Sequence, residues 1–186
     1  HDPLRRQRQM CIRDRPISPP RNADRDDDTI DFGFRTIQRA DKARMVRGVF
    51  DSVADRYDIM NDVMSGGIHR LWKATMIDWM APQPHQKLID LAGGTGDISL
   101  RFLRGGGGEA CITDINHAML EAGRGRRDLQ RLAHRLSWCV ANAESLSFDD
   151  HSADFVTIAF GLRNVTDRQA ALHEAYRILK PGGRFL

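Results

Sequence analysis

From Lys87 onward the sequence changes rhythm, and that change limits the fold more than any other feature. Residues 87–92 (Lys-Leu-Ile-Asp-Leu-Ala) form a short apolar run that ends in Gly93-Gly94-Thr95-Gly96. A helical stretch follows over 97–103, four glycines at 105–108 read as a loop, and 110–114 is a second apolar run. A basic amphipathic helix is expected over 116–135, a third strand over 136–141, a fourth over 154–160 and a helix over 167–179. Lys180-Pro181-Gly182-Gly183 then breaks that helix, and Arg184-Phe185-Leu186 opens a fifth strand. Strands alternating with helices at this spacing build βαβ units and a parallel sheet. The expectation is an α/β, Rossmann-like sheet with helices on both faces. Parallel sheets need both faces covered and their strands paired, so the sequence reads as the front of a larger domain, cut at its C-terminus.

The text before Lys87 differs. Residues 1–28 hold seven Arg and six Asp with scarcely an aliphatic pattern, too little apolar surface to offset the entropy of ordering. They lack the apolar core of a signal peptide, and their acids argue against a transit peptide. From about Asp41 a period of 3.6 puts Val46, Val49, Phe50, Val53 and Tyr57 on one helical face. Asn61 to Gly67 is punctuation. A second helix places Ile68, Leu71, Trp72, Thr75, Met76, Trp79 and Met80 on its apolar stripe, and Pro82 and Pro84 stop it. Three regions result: a disordered or non-native tail (1–31), an N-terminal helical lid or substrate region (32–84) and an α/β domain (85–186), incomplete on this reading.

Composition narrows the function. The net charge of +3 on 186 residues is too near balance to argue for nucleic acid. The longest apolar stretches fall far short of the roughly 20 residues a membrane-spanning helix needs. Cys11, Cys111 and Cys139 are odd in number and far apart, with no Cys-x-x-Cys, so neither a disulfide framework nor a metal site is expected. A reducing, cytoplasmic setting fits.

The first strand–turn, Asp90 to Asp97, carries the chemistry. Glycines at a strand's carboxyl end let backbone approach a ligand and turn sharply into a helix. Asp114 lies 21 residues past Gly93, at the end of the second strand. An acid there suits the two hydroxyls of a ribose; the plainer alternative is a turn in which Asp114 caps the next helix. Gly94 and Gly96 fit a dinucleotide fingerprint, but Ser99 takes its third glycine's place. Asp90, ahead of the turn, would repel phosphate and suits a cationic or zwitterionic ligand such as S-adenosylmethionine. The turn Leu179-Lys180-Pro181-Gly182-Gly183 also resembles one common in methyltransferases.

Four blocks make that likeness specific. Residues 57–72 contain Tyr57-Asp58, Met60-Asn61, Ser65, His69 and Trp72, in the pattern Tyr-Asp-x-Met-Asn, Ser, His-x-x-Trp. With residues 91–97, 141–144 (Ala-Asn-Ala-Glu) and 160–167 (Phe-Gly-Leu-Arg-Asn-Val-Thr-Asp), the chain resembles the ubiquinone/menaquinone biosynthesis C-methyltransferase family over about 32–186. The resemblance implies a seven-stranded methyltransferase fold and methylation of a ring carbon on a polyprenylated quinol precursor. It implies that Gly93, Gly94 and Thr95 touch the methionine part of S-adenosylmethionine, that Asp114 holds the ribose, and that Asn142 and Ala143 border the adenine.

In such a reaction the carbon becomes nucleophilic when an ortho phenol loses its proton, so a general base is needed. Arg163, just past the fourth strand, is a catalytic candidate that would lower the phenol pKa or position a water; the alternative is a surface or capping Arg. Tyr57 is a second catalytic candidate and, with Asp58, a lid; core packing and an N-cap are the plainer roles. His69 as base is weighed against a structural His, and packing is preferred for Trp72. The row Arg127, Arg131, Arg135 reads first as a solvated helix face, second as a peripheral contact with the inner membrane where a prenylated substrate lives. A homo-oligomer or a quinone-biosynthesis complex is compatible with this. Competing functions are an NAD-dependent oxidoreductase on the same βαβ front and a non-catalytic, truncated methyltransferase acting as an assembly partner.

Overall fold

The computed structural model describes residues 29–32, 35–38 and 68–186, with side chains from Arg70 onward. Tyr57, Asp58 and the expected helix from Asp41 lie outside the described residues, as does the side chain of His69.

Strands β1 (Thr29–Phe32) and β2 (Arg35–Gln38) pair antiparallel, with Ile30 opposite Ile37; the residue reading did not anticipate this ribbon. Helix α1 (Ile68–Met80) leads into β3 (Lys87–Asp90), α2 (Asp97–Arg104) and β4 (Glu109–Asp114). There follow α3 (His117–Arg124), α4 (Arg127–Gln130), β5 (Leu136–Val140), β6 (Ala153–Thr157), α5 (Arg168–Ile178) and β7 (Leu179–Phe185). The five strands β3 to β7 form one parallel sheet in the order β5-β4-β3-β6-β7. Because β3 connects toward β4 while β6 connects toward β7, the order reverses between β3 and β6. Open α/β sheets bind ligands in the crevice at that switch point, beyond the strands' carboxyl ends.

Successive side chains of a strand point to opposite faces, and the core divides accordingly. Leu88, Ala110 and Phe155 pack on one face with Met80, Ile98, Phe102 and Leu103. Ile89, Cys111 and Val156 pack on the other with Leu146, Phe148, Ala175 and Ile178. Both neighbours on each strand are buried, which is why these strands read as continuous apolar runs rather than alternating ones. Phe102 and Phe155 meet edge to face at 5.9 Å. Arg184 of β7 lies over the Phe155 ring at 5.0 Å and donates to the carbonyls of Trp79 and Met80, each at 2.7 Å. Those are end carbonyls of α1 with no intrahelical partner, so β7 fixes where that helix stops.

Three expectations need correction. First, α1 is turned about its axis. Lys73 and Met80 are buried, with Met76 and Ile77 half-buried, while Leu71, Trp72 and Trp79 are 68%, 60% and 69% exposed. Lys73 takes the inward place: its Nζ reaches Asp97 Oδ2 at 2.9 Å, at the first residue of α2, and its aliphatic stem is buried on the way. Second, the helix expected over 116–135 breaks after Arg124. Gly123 has no room for a side chain, since a Cβ would stand 2.6 Å from the Trp138 ring, and the chain leaves the helix at Gly125, with the Arg126 amide turning back to Gly123 O. Third, β7 starts at Leu179 and runs through Pro181-Gly182-Gly183. Its register with β6 slips between Ala153 and Phe155, and Gly182 takes a φ of +81°, so the turn expected there is a bulge inside a strand.

Candidate cofactor and acceptor site

The carboxyl ends of β3 and β4 build the first wall. After Asp90 the chain crosses Ala92 (φ +50°), Gly94 (φ +52°) and Gly96 (φ +81°) before α2 begins. A Cβ at Gly96 would stand 2.7 Å from Ile112 Cδ1, so glycine is required there both for its φ and for its space. The Gly93 amide donates to Thr113 O at 2.8 Å, which stitches the turn to β4. Asp114 completes the wall. Its Oδ2 accepts from the Gly94 amide at 3.0 Å and its Oδ1 from the Asn116 amide at 2.8 Å. Burial pushes the Asp114 carboxyl above its usual range, and the amides of Asn116 and Gly94 oppose that rise. The cap of α3 is Asn116, whose Oδ1 accepts from Ala118 and Met119. The helix-capping alternative for Asp114 is thereby filled by another residue.

Past β5 the Ala141 amide donates to Asp114 O at 3.0 Å, which brings Asn142 and Ala143 alongside the acid. Asn142 is exposed and its Oδ1 accepts the Glu144 amide; Ala143 is half-buried against the second core face. Thr95 is 8% exposed and its carbonyl accepts from Arg126 at 3.4 Å. So Gly93, Gly94, Thr95, Asp114, Asn142 and Ala143 are gathered on one sheet edge.

The end of β6 makes the second wall. Phe160 has a φ of +63°. Gly161 packs so closely that a Cβ there would stand 2.5 Å from Ala92 Cβ. Arg163 sits in the short helical turn Leu162–Asn164; its side chain is exposed and no described residue pairs with it. Glu144 links the walls, its Oε1 accepting from the amides of Thr166 at 2.9 Å and Asp167 at 3.1 Å. Nothing in the run Ala141 to Glu144 assigned Glu144 a role; only the fold shows its reach across 22 residues.

Asp90 does not face a ligand. It is 1% exposed, and its two oxygens accept from Thr157 Oγ1 at 2.7 Å and Ser99 Oγ at 3.0 Å. Burial raises its pKa to about 6 against the pull of those two hydroxyls. Ser99, at the place of a dinucleotide site's third glycine, is the partner that anchors this acid. The arginine row is likewise only partly solvated: Arg127 and Arg131 are exposed, but Arg135 donates to the carbonyls of Gly107 and Gly108. Among the described residues no cluster of His, Cys, Asp and Glu suits a metal ion.

A parallel sheet reversing between β3 and β6, a glycine turn, and an acid at the end of the next strand define a Rossmann-like fold of the class I methyltransferase type. It aligns with the crystal structure of the [4+2]-cyclase SpnF with a TM-score of 0.64 at 20% identity, covering 77% of this chain and 58% of that one. The model of the ubiE/COQ5 methyltransferase family matches residues 36–186, and the chain belongs to that family. It is 56% identical over 165 residues to the ubiquinone/menaquinone biosynthesis C-methyltransferase UbiE of Cereibacter sphaeroides. It is 58% identical over 163 residues to the protein of that name from Acidiphilium cryptum. Each alignment covers 88% of this chain, and the chain spans 66% of the length of these relatives.

Proposed function

We propose that this chain serves the S-adenosylmethionine-dependent C-methylation of a polyprenylated benzoquinol or naphthoquinol ring, in ubiquinone or menaquinone biosynthesis. The observation that supports it best is the pairing of Asp114 with the Gly94 amide. An ionised carboxylate offers about four acceptor sites. Backbone amides occupy some of them, and the rest suit the two hydroxyls of a ribose. Gly94 suits the turn as glycine alone, with a φ of +52° and a Cβ that would come within 3.1 Å of Met119 Cε.

When bound, S-adenosylmethionine supplies a methyl group on a sulfonium. The residues of this chain do the rest. Gly93, Gly94 and Thr95 border the methionine part, Asp114 holds the ribose, and Asn142 and Ala143 flank the adenine. Holding two reactants in line is worth a large share of the barrier. Arg163, a cation with no described partner at the facing strand end, favours the phenolate form of the acceptor through its charge, which makes the ortho carbon nucleophilic. The acceptor carbon would take that methyl group, and its ring proton would then have to pass to a base. No described helix is long and apolar enough to cross a membrane. A prenylated acceptor implies access from a bilayer surface, for which the exposed Arg127 and Arg131 are the basic contact.

The test is transfer of labelled methyl to demethyl benzoquinol and demethyl naphthoquinol acceptors. Label in either ring supports the reading. S-adenosylhomocysteine binding without label in either ring overturns it.

A further inference from the structure

Phe160 combines two local costs that packing does not repay. Its φ of +63° is a conformation that residues with a Cβ rarely adopt, and the residue is 44% exposed. Strained residues of this kind persist where a function holds them. The ring is not alone. Trp72, 60% exposed on α1, stands with its ring centroid 6.1 Å from that of Phe160, tilted by 34°. The two residues lie 88 positions apart in sequence and on separate elements, so the contact is built by the fold. On α1 the inward place beside Trp72 is taken by Lys73, and Trp72 faces outward. Its position is specific too. Phe160 directly precedes Gly161, the residue that touches Ala92 of the glycine turn, and lies three residues before Arg163.

We propose that Phe160 and Trp72 form an aromatic corner that binds the planar ring of the methyl acceptor and selects for aromatic acceptors. Rings stacked offset or edge to face gain beyond their buried area, and two tilted faces grip a plane where a single one would let it slide. The corner lies on the same strand end as Arg163. A phenol held against it therefore has a cation within the same loop and the glycine turn on the neighbouring strand. The inference rests on the quinol reading above and extends it by naming what holds the ring.

The strain allows a test that separates ring binding from folding. Phe160→Gly removes the ring and relieves the backbone, so its melting temperature should equal or exceed that of the parent chain. Phe160→Tyr keeps a ring. The probe is a 1,4-hydroquinone carrying one isoprenyl unit, titrated into the chain while tryptophan emission is followed, with S-adenosylhomocysteine affinity measured in parallel. We expect saturable quenching in the parent chain and in Phe160→Tyr. Phe160→Gly should bind the probe at least tenfold more weakly, and so should Trp72→Leu when its binding is read by calorimetry. Cofactor-product affinity should stay within twofold throughout. Unchanged probe binding in Phe160→Gly overturns the proposal, as does an equal loss of probe and cofactor-product affinity. If the probe binds through Phe160 but accepts no methyl, the corner stands and the quinol reading falls. If methyl transfer proceeds in Phe160→Gly with an unchanged KM, the corner falls and the quinol reading stands.

Discussion

Thr157 on β6 donates its hydroxyl to Asp90 on β3 at 2.7 Å, across the two strands between which the sheet order reverses. Ser99 of α2 donates to the other carboxylate oxygen. One buried acid thus joins two strands and a helix under the glycine turn, and it replaces the ligand contact that the residue pattern suggested.

That acid sets a pH dependence. Its folded pKa of about 6 lies above the ordinary value of 3.8, so between these values the folded chain holds a proton that the unfolded chain has released. Its contribution to stability is therefore present at low pH and is lost as pH rises through about 6. A difference of that size corresponds to about 3 kcal/mol. Urea unfolding of the parent chain and of Asp90→Asn at a series of pH values measures it. The parent should lose ground relative to the variant from pH 4 to pH 7. A constant gap would mean that Asp90 titrates as an ordinary carboxylate.

Asp114 should govern cofactor affinity. Loss of charged hydrogen bonds to ribose costs about 1.5–3 kcal/mol, so Asp114→Ala should weaken S-adenosylhomocysteine binding at least roughly tenfold by calorimetry. Asp114→Asn, which can still accept one backbone amide, should keep the turn folded and still bind poorly. Because burial raises this carboxyl, affinity should begin to fall on acidification above the usual carboxylate range. Equal affinity in parent and Asp114→Ala would remove the ribose assignment.

Arg163 should separate turnover from cofactor binding. Nothing described pairs with it, so Arg163→Ala should leave the melting temperature within experimental scatter. The kcat should fall far more than cofactor Kd rises. The acid limb of the pH–rate profile should move upward, because the phenol ionises less readily without the cation. Parallel losses in kcat and Kd with an unmoved limb would assign it a structural role.

Gly161 should prove purely steric. Its φ of −76° suits any residue, but a Cβ would stand 2.5 Å from Ala92 Cβ. Overpacking of this kind costs about 1–3 kcal/mol. Gly161→Ala should lower stability by that amount in denaturant titrations. Adding Ala92→Gly should return most of it, since that change clears the clash and relieves a φ of +50°. Additive losses in the double variant would place the clash elsewhere.

What could be read in the residues was local. The strand cores, the glycine turn and the acid at the end of β4 each declare themselves within a few positions. The cap of α3 did not: the residue pattern offered Asp114, and the structure has Asn116, whose side chain accepts the amides of Ala118 and Met119. What escaped was decided at a distance. The inward place of Lys73 on α1 is matched by Asp97, 24 residues on. The close packing of Gly123 against Trp138 joins positions 15 apart. The inward turn of Asp90 depends on Thr157, 67 positions away. Tyr57, prominent among the motif residues, lies outside the described residues.

The four glycines at 105–108 look, in the sequence, like the natural place to splice in a tag, a fluorophore or a new pair of termini. The structure advises against it. The Phe102 ring fills the space where a side chain at Gly107 would go, and the Pro84 carbonyl does so at Gly108. The amides of Gly108 and Glu109 both donate to Gln86 O, while Arg135 holds the carbonyls of Gly107 and Gly108. This is a seam clamped from two sides. Cutting it would detach β4 from the start of β3 and from the residues that lead into β5. Insertions are tolerated at exposed tips whose small or polar residues are not held by their neighbours, and this glycine run is held on both sides.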